Sequence, residues 1–201
     1  MAVLLQAFGV SFQRAGQAVF EPLDLSLKAG QAIVVLGPNG CGKTTLLRLL
    51  AGILSPFPGR VERHAATAFL GHLPGVKGEL TCRENLHFLR RFHGMDGLEP
   101  DRALARVGLA GLGLRPARAL SAGQKRRLGL AGLLVARRKV WLLDEPYASL
   151  DDAGGQLVDE LLTEHLGQDG SVALSTHQRQ PQIGPSVEKL HMAAPGPGEP
   201  S

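Results

Sequence analysis

The residues with the most definite chemistry lie at 36–45, LGPNGCGKTT, after the apolar run AIVV and before LLRLLAGIL. Gly37-Pro38-Asn39-Gly40-Cys41-Gly42-Lys43-Thr44 fits the phosphate-loop pattern G-x-x-x-x-G-K-[ST]. Glycines let backbone N–H groups turn toward one point with no Cβ in the way, and the helix that follows adds its positive N-terminal end. Lys43 brings a mobile cation for β- and γ-phosphates, and the Thr44 hydroxyl is a ligand for Mg²⁺, with Thr45 beside it at the helix start. Cys41 reads either as a tolerated small residue or as a thiol activated by the helix start and Lys43.

A second constellation is VWLLDEP at 140–146, an apolar strand that ends in two acids. Asp144 at the strand end can hold Mg²⁺ directly or through water. Glu145, one residue on, points elsewhere and can polarise an attacking water. A third is Leu120-Ser121-Ala122-Gly123-Gln124, just before the basic stretch KRR. Ser121 is an N-cap candidate, and the free N–H groups that follow it make a second anion site at a helix start.

These groups need strands that end, and helices that begin, at one place. VLLQAFGVSF reads as a strand, and LDLSLKAGQAIVVLG as two strands around a Lys-Ala-Gly-Gln turn. Thr45–Leu54 reads as a buried helix, SPFPGR as a loop and ATAFLGHLPG as a short strand ending at Gly71. A middle section at about 80–118, rich in Leu, Arg and Ala, reads as helical with a break at GMDGLEP, followed by a helix over SAGQKRRLGLAGLLVARR. VWLLD and SVALSTH have the pattern of buried strands. The alternation predicts an α/β fold, with a P-loop core built on a mostly parallel sheet and the helical middle section as an insertion. The last residues, MAAPGPGEPS, have the composition of a disordered tail, placed at 191–201.

Composition bounds the rest. The chain has 201 residues, 44% hydrophobic and 20% charged, enough for one sizeable domain. Its formal charge of +4 suits anionic ligands or an anionic membrane surface and is too weak to argue for nucleic acid. Cys41 and Cys82 show no metal-ligand spacing, which points to a reducing compartment. No apolar run approaches the roughly 20 residues of a membrane helix, and the amino end lacks the features of a signal peptide. The expectation is a cytosolic protein that meets a membrane only through a partner.

Taken in order, the three constellations resemble the nucleotide-binding subunit of an ABC transporter over nearly the whole chain: Walker A at 37–44, the signature LSAGQ at 120–124, and Walker B with its glutamate at 140–145. A D-loop at Ser149-Leu150-Asp151 and a switch histidine, His177 in STHQ, complete the set. The resemblance implies an ATP-hydrolysing cassette spanning residues 1–190, with an antiparallel β subdomain and a helical subdomain at about 73–135. ATP and Mg²⁺ are its implied cofactors. It further implies a head-to-tail homodimer in which Ser121, Gly123 and Gln124 of one copy cap the nucleotide held by the P-loop of the other, while His177 reaches the γ-phosphate beside a water activated by Glu145.

His72 stands where such proteins usually carry the glutamine of the Q-loop, and either assists the attacking water or is structural. Phe12 or Arg14 is left to stack on adenine. GHLPGVKGELT, ENLHFLRRFHG, the tryptophan of VWLLDEP and THQ narrow the resemblance to the ATP-binding subunits of the bacterial haem exporter of cytochrome c maturation, where histidine is a usual Q-loop occupant. That implies integral membrane subunits as partners at the cytoplasmic face of the inner membrane, contacted through 72–95. Another ABC transporter with different cargo, or a single-cassette ABC ATPase outside transport, would share the same ATP chemistry. No haem-attachment motif or evident direct metal or haem site is read, and His64, His87, His93, His165 and His191 are taken as solvated or core residues.

Overall fold

The computed structural model describes residues 1–94, 96–177, 179–184 and 187–193. In chain order the elements are β1 (Val3–Val10), β2 (Gln13–Arg14), β3 (Gln17–Ala18), β4 (Leu23–Lys28), β5 (Ala32–Leu36), α1 (Lys43–Ala51), β6 (Arg60–Arg63) and β7 (Thr67–Leu70). There follow α2 (Cys82–His93), α3 (Pro100–Arg106), a 3₁₀ turn at Ala117–Ala119, α4 (Ala122–Ala136), β8 (Val140–Asp144), α5 (Asp152–Gly167), β9 (Ser171–Ser175) and β10 (Val187–His191).

The apolar runs AIVVL, VWLLD and SVALS form the middle of a five-stranded sheet of order β10-β5-β9-β8-β7, parallel throughout. Strands covered on both faces need no polar side, which is why they read as unbroken hydrophobic stretches. Successive side chains still point to opposite faces. Val140 and Leu142 of β8 enter one core with α1, whereas Trp141 and Leu143 enter the other with α4 and α5. The first core is closed by an antiparallel sheet of order β4-β1-β6, whose Leu5, Val10, Leu25 and Leu27 pack with Leu46, Leu47, Leu49 and Leu50 of α1. The two strands flanking the Lys-Ala-Gly-Gln turn therefore do not pair. The turn hands the chain from the antiparallel sheet to the parallel one, fixed by Gln31, whose Oε1 accepts from Lys28 N at 3.0 Å.

The helical middle section is present with the expected break. α2 begins with a capping box, Thr81 with Glu84, and reaches Gly94, and α3 starts on Pro100. Both pack on α4, through Leu86 and Leu89 and through Ala103 and Leu104. Gly129 of α4 faces the sheet, where a Cβ would meet Leu70 Cδ1 at 2.7 Å and Pro74 Cβ at 2.9 Å. Gly132 faces α2 instead, at 2.9 Å from Leu89 Cδ1.

The tail placed at 191–201 begins later than its composition indicated. His191 is the last residue of β10 and pairs with Leu36, and Met192 is buried with its N–H bonded to Leu36 O at 2.8 Å. Backbone pairing to β5 offsets the polar composition there, and the remainder of the expected tail, 194–201, lies outside the described residues. Among the described residues no helix is long and apolar enough to cross a membrane.

Candidate functional site

The loop between β5 and α1 differs from the starts of α2, α4 and α5. α2, α4 and α5 each carry a side-chain cap, from Thr81, Ser121 and Asp151. α1 has none: its N-cap is Gly42 in the left-handed region at φ 97°, where a Cβ would also strike Phe20 Cδ1 at 2.7 Å. First-turn N–H groups with no side-chain acceptor are donors held ready for an external anion. Lys43 is 8% exposed and its Nζ donates to the carbonyls of Gly37 at 2.8 Å and Pro38 at 3.0 Å, so the cation is held against the loop. Pro38, Asn39 and Gly40 form the exposed crest. Cys41 is fully buried in the core beneath it, a packing position and not an accessible thiol.

The second acid site lies beside this loop. The Thr44 hydroxyl is 3.0 and 2.9 Å from the two carboxylate oxygens of Asp144, which is 2% exposed and also accepts from Ser175 Oγ at 2.7 Å. A hydroxyl and a carboxylate converging on one point, at the foot of an uncapped helix, form a hard-oxygen donor set that fits Mg²⁺. Ser175, at the end of β9, was not singled out from the sequence. It sits opposite Asp144 because β8 and β9 pair in parallel register there.

Glu145 follows with φ 53°, a left-handed backbone that costs a non-glycine residue roughly 1 kcal/mol or more. Its N–H is held by Ser175 O and Oγ, each at 3.2 Å. The strained turn separates its side chain from that of Asp144 and brings Oε1 to 2.7 Å from His177 Nδ1. Glu145 is only 12% exposed at the side chain and His177 46%.

The other expected residues stand elsewhere. Ser121, exposed, closes a capping box in which its Oγ accepts from Gln124 N at 3.2 Å and its N–H donates to Gln124 Oε1 at 3.0 Å. Gly123 lies against Ser149 of the 149–151 turn, where a Cβ would come within 2.7 Å of the Ser149 carbonyl. Among the described residues no hydrogen bond or ion pair joins Ser121, Gly123 or Gln124 to the phosphate loop. His72 is exposed and its ring makes no bond to Glu145 or His177 among the described residues. Its carbonyl is held instead, by Arg126 Nη2 at 2.6 Å, while Nη1 takes Gly71 O at 2.9 Å. Phe12 packs against the α1 core, and Arg14 lies exposed on the β2–β3 ribbon.

Arg126 was not singled out from the sequence. It is 3% exposed on α4, and burial draws its guanidinium below the ordinary value while the charges of Asp144 and Glu145 oppose that. The signal was present in KRRLGL, where helical spacing puts the middle of three basic residues on the buried face.

The ABC transporter family model matches residues 20–148. The cytochrome c biogenesis ATP-binding export protein CcmA of Xanthomonas oryzae pv. oryzae is 46% identical over 185 residues, covering 87% of this chain and 86% of that protein. The protein of the same name from Rhodobacter capsulatus is 49% identical over 175 residues, covering 87% and 81%. A solved ATP-binding subunit of an ABC transporter superposes with a TM-score of 0.80 at 21% identity, over 87% of this chain and 80% of that one. An ATP-binding cassette solved as a dimer in a post-hydrolysis state, with ADP and Pi, gives a TM-score of 0.82 at 19% identity over 95% and 96%. At those identities the structures speak for the fold. The uncapped phosphate loop, the Thr44–Asp144 pair and the Glu145–His177 contact thus stand within a known architecture, and the chain belongs to the ABC transporter family, among the cytochrome c biogenesis ATP-binding export proteins.

Proposed function

We propose that this chain binds and hydrolyses ATP between two copies of itself, and that the cycle drives a membrane-embedded exporter serving cytochrome c biogenesis. The single observation that carries the hydrolytic reading is the 2.7 Å contact between Glu145 and His177 beside the phosphate loop. Glu145, mostly buried and acceptor-only, takes the proton of an attacking water. His177 orients that carboxylate through Nδ1 and keeps Nε2 for the γ-phosphate. Lys43 and the first-turn N–H groups of α1, with Thr45 as its third residue, hold the β- and γ-phosphates. Thr44 and Asp144 would hold Mg²⁺, which when bound would supply positive charge to the phosphate oxygens. Arg14, exposed on its ribbon, is placed to stack on the adenine, while Phe12 serves the core.

Ser121, Gly123 and Gln124 belong to the partner's nucleotide. Their separation from the phosphate loop of the same chain, and the exposure of Ser121, support a head-to-tail dimer in which each ATP is sandwiched between copies. Arg126 joins α4 to residues 71–72, so a shift of the signature helix on ATP loss moves the His72 segment with it. His72 acts there through its backbone. Segment 72–95 then carries the movement to the integral membrane subunits at the cytoplasmic face of the inner membrane. The names of the relatives support export in cytochrome c biogenesis as the process, and the cargo in this reading is haem or a haem-loaded carrier released on the far side.

Purification from native membranes tests the assembly, and cytochrome c assembly in a Lys43→Ala strain tests the process. A co-purifying polytopic subunit and loss of cytochrome c are expected. Normal cytochrome c in that strain defeats the exporter assignment and leaves the ATPase reading standing.

A further inference from the structure

The hydrolytic pair sits on two separate segments, Glu145 with Tyr147 after β8 and His177 with Arg179 after β9, and one carboxylate ties both to α5. Tyr147 Oη donates to Asp159 Oδ1 at 2.6 Å, and Arg179 Nη2 donates to Asp159 Oδ2 at 2.9 Å. The N–H of Gln182 adds a third donor to Oδ1 at 3.3 Å. Asp159 is 7% exposed, so its charge stands on these donors and not on water. Burial first, and then the bond to Asp159, push the Tyr147 phenol upward, so it remains a donor.

Arg179 is two residues from His177 and closes the loop on itself. Its N–H reaches Thr176 Oγ1 at 3.4 Å, and that hydroxyl donates to the Arg179 carbonyl at 3.0 Å. The guanidinium lies 5.8 Å from the centroid of the Tyr147 ring and occupies the space beside Gly155, where a Cβ would collide with its Nη1. His177, 46% exposed at the side chain, meets Glu145 through the 2.7 Å contact of its Nδ1. The anchoring of its loop comes from Asp159.

We infer that Asp159, acting through Tyr147 and Arg179, positions His177 against Glu145 and so sets the rate of the hydrolytic step. None of the three touches the nucleotide; they are positioning residues. The inference rests on the hydrolytic reading of Glu145 and His177. A misplacement of about 1 Å at such a pair costs up to about 100-fold.

The experiment is steady-state ATPase kinetics on the transporter complex purified from membranes. Asp159→Ala is expected to lower kcat about 10- to 100-fold with KM for ATP held within about twofold. Arg179→Met should behave alike and Arg179→Lys should recover most of the loss. In a His177→Ala background Asp159→Ala should cost nothing further, because the group it positions is gone. The same factor lost in both backgrounds, or a raised KM at unchanged kcat, overturns the proposal. Asp159→Ala strands three donors, the buried Tyr147 hydroxyl among them, and can fail to fold. Arg179→Met, at a partly exposed side chain, then carries the same cycle alone. If Glu145→Gln hydrolyses at the parent rate, the hydrolytic reading itself falls. If Glu145→Gln is inactive while Asp159→Ala and Arg179→Met turn over normally, only the positioning role falls.

Discussion

At Glu145 a left-handed backbone, two bonds from its N–H to Ser175 and a short contact to His177 combine in one side chain. Glu145→Gln keeps the shape and removes the base. It is expected to bind ATP normally and to hydrolyse it at least about 100-fold more slowly, read by nucleotide binding and phosphate release on the same preparation. A second residue-scale prediction concerns His165, which stacks on Trp141 at 3.9 Å and reaches the Lys139 carbonyl at 3.2 Å. Burial lowers it to about 4, against opposing backbone hydrogen bonds at Lys139 and Ser171. The unfolded chain therefore binds the extra proton first. The stability this buried neutral ring contributes is full above about pH 6.5 and is lost as pH falls toward about 4. The slope has a ceiling of about 1.4 kcal/mol per pH unit and is reduced by the ring's partial contact with water. Denaturant midpoints across that window should show the decline, and His165→Phe should flatten it.

Among the elements, the contrast between α1 and its capped neighbours places the phosphate site. α1 leaves its first turn to an anion, whereas α4 satisfies its own through Ser121 and Gln124. Ser121→Ala should cost about 1 kcal/mol of helix stability. A larger loss, in ATP-driven dimerisation, is expected in sedimentation with a Glu145→Gln background, because in the proposed dimer the same hydroxyl caps the partner's nucleotide. Gly129→Ala gains helix propensity of about 1 kcal/mol but drives a methyl into Leu70 and Pro74. Net destabilisation of roughly 1–3 kcal/mol is expected from thermal or chemical unfolding.

The same scale explains what the sequence revealed. AIVVL, VWLLD and SVALS were legible because buried parallel strands are apolar throughout. β6, RVER, and β10, VEKLH, were not, because their burial is partial and their pairing comes from the neighbouring backbone. α5 was passed over in DAGGQLVDELLTEHLG, where a Gly-Gly pair in the first turns conceals an N-cap that only Asp151 reveals.

For the molecule as a whole, the proposed ATP site was legible as three motifs in order, since each is a contiguous stretch with its own chemistry. The supports were not: Arg126 with residues 71–72, and Asp159 with Tyr147 and Arg179, are joined across 12 to 55 positions, and no local spacing reports which residues meet. The long-range part of the site is thus a property of the fold. The strand that follows residue 186 adds one more support of this kind. β10 runs beside β5, and the Met192 carbonyl abuts Gly37, where any Cβ would overlap it. Trimming the polypeptide ahead of Val187 should therefore weaken ATP affinity in a filter or fluorescence titration, although nothing removed touches a phosphate. A reporter fused downstream would tug on the nucleotide cradle, and one fused at Met1 would leave it alone.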